Sequence, residues 1–137
     1  MEGFAEIELN LKLKERGWKE IPLNGVYKIG KLSLCHGLYT NQYHARKHVD
    51  IFGTSVIYGH NHDVQEHTRI TYGNTEVHKG KSIGCLCDVS PSYLKNKPNK
   101  WVHAFSVVYT YDDGNFNEYT INIINGQFVW NGKPYGK

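Results

Sequence analysis

Ser55-Val56-Ile57-Tyr58-Gly59-His60-Asn61-His62 is the stretch on which the reading of this chain turns. Val56, Ile57 and Tyr58 suit a pleated, half-buried strand, and Gly59 frees the backbone for a turn at its end. Two imidazoles two residues apart on an extended segment share a face, so a turn beginning at Gly59 is expected to bring His60 and His62 toward one point above the strand end. Imidazole is the commonest ligand for zinc, manganese, iron or nickel. A second, largely apolar run, Leu32-Ser33-Leu34-Cys35, ends in His36-Gly37. Two strands are therefore expected to deliver His36, His60 and His62 to one edge of a sheet. With eight histidines in 137 residues, chance alone places some pair at this spacing. The order strand, His-Gly, helix, strand, Gly-His-x-His is what lifts these three above that background.

Working outward, residues 25–34 read as a hairpin turned at Gly30-Lys31, which leads straight to His36. In residues 41–51, Tyr43, Ala45, Lys47, His48 and Ile51 suit a short helix stopped at Gly53. A helix starting near Thr40 and Asn41 would turn its free N–H groups and positive dipole end toward the histidines, which favours a bound phosphate. His44 and Arg46 are the candidate phosphate contacts. The plainer reading makes Arg46 and Lys47 a solvated helix face and lets His44 or His48 cap or pack.

On the N-terminal side, residues 6–16 carry Ile7, Leu11 and Leu13 at near-helical spacing before Gly17, although Ile7, Leu9, Leu11 and Leu13 also alternate as a strand would. Helix is the expectation there. On the C-terminal side, residues 64–72 alternate as a strand, Gly73-Asn74 turns into a partner over 75–78, and residues 82–88 form a further extended run. Residues 93–100 form a loop, and residues 101–111, 115–124 and 127–130 form a C-terminal meander turned at Asp112-Asp113-Gly114 and Asn125-Gly126. The fold class that follows is α+β and β-rich, a single domain over residues 1–137 with one or two helices.

Composition bounds the rest. The chain is 39% apolar and 13% aromatic, enough for one core, with apolar runs far too short for a membrane span and no N-terminal signal pattern. A cytoplasmic protein without a membrane partner is expected. Cys35, Cys85 and Cys87 are odd in number, and Cys85-Leu86-Cys87 is too tight for an ordinary disulfide, so reduced thiols are expected. Zinc on Cys85 and Cys87 with His78 or Asp88 is a weaker expectation than packed thiols, because structural sites have wider pair spacing. Cys35, next to an inward ligand on a strand, is expected to pack on the opposite side. A net charge of +3 permits an anionic ligand without pointing to nucleic acid. The letters His60-Asn61-His62 do not reproduce the spacing of an HNH nuclease. Asp50 and Asp63 are read as helix-end and strand-end residues rather than ligands.

Together, His36-Gly37 after one strand and Gly59-His60-Asn61-His62 after a later one resemble the second half of the calcineurin-like metallophosphoesterases, most closely phage-type members over residues 25–69. Gly84-Cys85-Leu86-Cys87-Asp88 and Trp101 extend the resemblance over most of the chain. The resemblance implies the sheet-based second half of an αββα sandwich. It implies that His36 and His60 hold one divalent ion (Mn, Zn, Fe or Ni) and His62 a second, for phosphoester hydrolysis by a metal-activated water. The family's Asp-x-His, Gly-Asp-x-x-Asp and Gly-Asn-His motifs do not occur here, and nothing before His36 is a histidine or an aspartate. The chain then corresponds to an incomplete centre, completed by an N-terminal half, or to a non-catalytic metal- or phosphate-binding module. Phosphoesters are the implied substrates, with nucleic acid or a nucleotide among them. An uncovered sheet face would favour self-association.

Overall fold

The computed structural model describes residues 10–73 and 75–136. Strands β1 (Tyr27–Ile29) and β2 (Leu32–Cys35) form the hairpin about Gly30-Lys31. Helix α1 (His44–Phe52) then carries the chain back to β3 (Ser55–Tyr58), which lies parallel to β2. Strands β4 (Val64–Ile70) and β5 (Val77–Ile83) pair antiparallel, and β5 lies parallel to β3. The sheet order is β1-β2-β3-β5-β4, so three parallel strands sit inside two antiparallel edges. β3 is buried at all four positions, as expected of a parallel strand covered on both faces.

α1 covers one face. His44, Ala45, His48 and Val49 are its buried positions, an i, i+1, i+4, i+5 stripe that lies over β3, β4 and β5. The helix has no side-chain N-cap of its own; instead the Ala45 N–H donates to Gln65 Oε1 on β4 at 2.9 Å. At the other end Gly53, with φ of 64°, donates its N–H to the Val49 carbonyl at 3.0 Å. Gly80 permits the close approach of α1 to β5, because a Cβ there would lie 2.1 Å from the Ala45 carbonyl oxygen. That contact also corrects the sequence reading, which ends one strand at His78 and begins another at Ser82. β5 runs unbroken through Gly80, whose missing side chain serves helix packing rather than a turn.

Alternation turns Lys81 to the other face, where the hairpin of β6 (Ala104–Thr110) and β7 (Phe116–Asn122) lies. Lys81 Nζ reaches Glu118 on β7 at 2.7 Å and Glu66 on β4 at 3.0 Å, and Ser106 Oγ donates to Glu118 at 2.6 Å. Burial pulls the Lys81 ammonium down, but hydrogen bonds and charge from Glu118 and Glu66 outweigh it and hold its pKa above the usual value. At the tip of this hairpin Gly114 meets the β1–β2 turn, with the Lys31 N–H donating to the Gly114 carbonyl at 2.9 Å.

The C-terminal meander is interrupted. β7 is followed only by the isolated bridge Ile124–Gln127, and β8 (Phe128–Trp130) pairs with β9 (Lys133–Tyr135) as a separate hairpin. Its turn is Asn131-Gly132, both at positive φ, a two-residue hairpin signal that the sequence reading passes over. Phe128 stands edge-on to Phe105 at 5.1 Å, and Trp130 contacts Tyr109 and Tyr119, so β8–β9 packs on the outside of β6–β7. The β-rich α+β class holds. Of the expected helix over 6–16, residues 6–9 lie outside the described residues, and over 10–16 only positions 10 and 11 are helical before Lys12, at φ of 50°, turns the chain; Asn74 of the expected Gly73-Asn74 turn is also outside the described residues, and Gly17 does adopt positive φ, at 75°. Among the described residues no helix is long and apolar enough to cross a membrane.

Candidate metal centre

The parallel strands β2, β3 and β5 end on the same side of the sheet, and their continuations are Cys35-His36-Gly37, Gly59-His60-Asn61-His62 and Gly84-Cys85-Leu86-Cys87. Ligands in α/β sheets bind outside the carboxyl ends of such strands, where loops rather than ladder bonds set the side-chain directions. The Gly59 N–H donates to the His36 carbonyl at 3.0 Å, which extends the β2–β3 ladder one step into the loops. Gly37, at φ of 122°, admits His60: a Cβ at this position would stand 2.8 Å from the His60 Cβ.

His36 and His60 meet. His36 Nε2 lies 3.1 Å from His60 Nδ1, the rings stand edge to face at 4.9 Å, and both residues are exposed. Two imidazole nitrogens on one tetrahedral zinc, each at about 2.0–2.1 Å, would be roughly 3.4 Å apart. The pair therefore fits one divalent ion with a shift of a few tenths of an ångström, its remaining positions open to solvent. No carboxylate joins the pair in a ligand-like cluster among the described residues.

His62 goes elsewhere. The loop is not extended as the sequence reading assumes: His60 and His62 both take the left-handed conformation, at φ of 63° and 61°. Such backbone is uncommon outside glycine and is concentrated at functional sites. Asn61 is held by its side-chain N–H on the Tyr39 carbonyl at 3.0 Å and by its backbone N–H on the Gly59 carbonyl at 2.7 Å. The result is divergence. The His62 ring stands edge-on to Trp101 at 4.3 Å with Nδ1 3.8 Å from Cys87 Sγ, and its ligand atom groups with those of Cys85 and Cys87, all within 4.8 Å. The expectation that His60 and His62 converge on one point is corrected here.

His44 also lies away from its expected place. It is buried beneath α1, where the Tyr58 hydroxyl donates to Nδ1 at 2.6 Å and Nε2–H donates to Asp63 Oδ2 at 3.0 Å. Both ring nitrogens are engaged, which leaves none for a phosphate. Asp63 Oδ1 is buried without a hydrogen-bond partner among the described atoms. His48, fully buried, stacks on Tyr58 at 3.6 Å, accepts from the Leu38 N–H at 3.0 Å and donates to the His44 carbonyl at 2.7 Å. Burial lowers its pKa. Arg46 is 68% exposed and pairs with Asp50 one turn on, the solvated-face reading, and the Ala45 N–H at the start of α1 is engaged by Gln65.

The sequence reading treats Cys85 and Cys87 as packed thiols. Their approach to His62 was not readable, because it depends on Gly84, at φ of 75°, ending β5 and on Cys85 bridging to His103. A cleft of about 1010 Å³, lined by Lys31, Ser55, Lys79 and Glu118 among others, opens near the beginnings of β2 and β3, at the far end from these side chains. No protein-family model, no curated protein and no solved structure matches this chain.

Proposed function

We propose that the chain is the histidine-bearing half of a metal-dependent phosphoesterase centre, binding one divalent ion on His36 and His60 and lacking the carboxylates needed for turnover by itself. The observation that carries this reading is the 3.1 Å approach of two exposed imidazoles at the carboxyl ends of adjacent parallel strands. The ordered pattern His-Gly, helix, Gly-His-x-His and its resemblance to calcineurin-like metallophosphoesterases support the phosphoester class, while the His62 ring turns away from the pair toward Cys87. When bound, such an ion supplies charge to polarise a phosphoryl oxygen and to acidify a water.

The chain's own residues perform the positioning. Gly37 and the Gly59–His36 bond set the two rings face to edge, and Asn61 holds the loop that carries His60. Neutral imidazoles bring no negative charge, so a pair of dications is not held close together by these groups alone. A metal-binding module without catalysis is accordingly the state of the isolated chain, and the expected polypeptide partner is one bearing the aspartate motifs.

The test is Mn²⁺-dependent hydrolysis of an activated aryl phosphodiester, alone and with an added or fused segment carrying Asp-x-His, Gly-Asp-x-x-Asp and Gly-Asn-His. The isolated chain is expected near the free-metal background, since general acid catalysis alone is worth ~10²–10⁴-fold. The completed protein is expected to turn over and to lose activity with His60→Ala. Robust hydrolysis by the chain alone would overturn the incomplete-centre reading. Undiminished Mn²⁺ broadening of histidine proton resonances in His36→Ala/His60→Ala would remove the metal pair itself.

A further inference from the structure

We propose that His62, Cys85 and Cys87 form a second metal site, distinct from the His36–His60 pair and selective for a thiophilic ion such as Zn²⁺. The side-chain ligand atoms of these three residues lie within 4.8 Å of one another, and no other such group of three occurs among the described residues. Tetrahedral zinc with bonds of about 2.0–2.1 Å to nitrogen and 2.3 Å to sulfur places N and S roughly 3.6 Å apart and two sulfurs roughly 3.8 Å apart. His62 Nδ1 already stands 3.8 Å from Cys87 Sγ. Closing the site thus needs side-chain movements of no more than about an ångström, which exposed Cys87 can make by rotation about χ1.

Three segments distant in sequence hold this arrangement. The Val102 N–H donates to the His62 carbonyl at 2.8 Å, the Cys85 N–H to the Val102 carbonyl at 3.0 Å, and the Ala104 N–H to the Cys85 carbonyl at 3.1 Å. His103 Nε2–H donates to the Cys87 carbonyl at 2.7 Å, and Trp101 packs edge-on against the His62 ring. Backbone and ring contacts of this kind fix ligand direction, and their loss typically weakens metal binding. Three protein ligands leave a fourth position for water or an exogenous donor, the count found at open zinc sites.

Charge and softness separate the two sites. Two thiolates neutralise a dication, and a coordinating metal deprotonates thiols outright, so binding releases protons and strengthens as pH rises. Thiolate sulfur selects zinc, cadmium or copper(I) over manganese, whereas the exposed imidazole pair accepts harder ions. Since His60 and His62 flank Asn61, the same left-handed loop presents one ring to each site. This inference stands on the cluster itself and is independent of any hydrolytic activity.

The experiment is titration of the reduced full-length chain with Cd²⁺, read by the thiolate-to-cadmium charge-transfer absorbance, with Zn²⁺ as competitor. One equivalent is expected to produce the band. It should persist in His36→Ala/His60→Ala and in Cys35→Ser, vanish in Cys85→Ser/Cys87→Ser, and require in His62→Ala more than the ~10–100-fold extra metal that loss of an outer partner typically costs. A band undiminished in Cys85→Ser/Cys87→Ser, or an unchanged affinity in His62→Ala, would overturn the site. Should the double serine variant fail to fold, alkylation mapped on the wild-type chain reads the same question. Zn²⁺ is expected to shield Cys85 and Cys87 while leaving the rate at Cys35 unchanged, and equal rates with and without Zn²⁺ would refute the proposal.

Discussion

His44 and His48, beneath α1, commit every ring nitrogen to a fixed partner, whereas His36 and His60, at the ends of β2 and β3, turn ring nitrogens toward each other in the open. The two groups lie in one short stretch of sequence, residues 36–60, and use the same imidazole. Burial decides their roles. A buried ring left with an unmade hydrogen bond costs about 1–3 kcal/mol, so the core positions are saturated by Tyr58, Asp63, Leu38 and a backbone carbonyl. At the strand ends water satisfies a free lone pair, and the rings stay available to a metal. Histidines that are hydrogen-bonded at both nitrogens therefore hold the fold, and histidines that face each other at loop tips are left accessible to a ligand.

The largest effect expected from this contrast is in the packing beneath α1. Gly80→Ala pushes a methyl into the Ala45 carbonyl and within 3.1 Å of Val49 Cβ, and it should destabilise the chain by about 3 kcal/mol, the upper end of overpacking costs. Denaturant unfolding measures it; a loss below about 0.5 kcal/mol would mean that α1 sits less firmly on β5 than its contacts indicate. Next in size is Tyr58→Phe. It keeps the stacking on His48 but leaves His44 Nδ1 buried without its donor, for a loss of about 1–3 kcal/mol. A neutral result would place a water in the hydroxyl's stead and weaken the distinction between the two histidine groups.

Smaller still is a pH effect from His48. Its pKa is lowered in the folded chain by burial, so the unfolded chain binds the extra proton first. Stability from this group is present above the unfolded value of about 6.5 and declines as pH falls below it, until the folded value is reached. Metal-free thermal melts between neutral pH and about 5 should show the decline, and His48→Gln should flatten it. The smallest expected change is in His36→Ala/His60→Ala without metal. Both residues are exposed, so stability should stay within about 0.5 kcal/mol of the parent. A larger loss would turn this pair into a structural feature and erase the contrast.

The strand ends were legible because they are written locally. An apolar run, a glycine and a histidine are consecutive residues, and the α1 pattern with its Gly53 stop lies between the two runs. Errors arose where distant segments meet. Gly80 reads as a strand break until α1 is laid over it; the β8–β9 hairpin is a different case, since Asn131-Gly132 signals it locally and the sequence reading omits it. His44 and His62 show the same limit for the site, since nothing in sequence spacing states that one ring turns under a helix and the other toward Cys87.

What the sequence determined by itself is that His36 and His60 follow two apolar strand runs and the order in which they reach the sheet edge, because strand, turn and helix signals depend on neighbours within a few positions. Only the tertiary structure decided which of the histidines share a site. His36 lies 3.1 Å from a residue 24 positions later, and His62 lies 3.8 Å from one 25 positions later. Those meetings are set by the parallel register of β2, β3 and β5 and by left-handed backbone at His60 and His62. A two-residue spacing that would place both rings on one face of an extended chain places them on opposite errands once φ changes sign, and that sign is fixed by the packing of the loops around it.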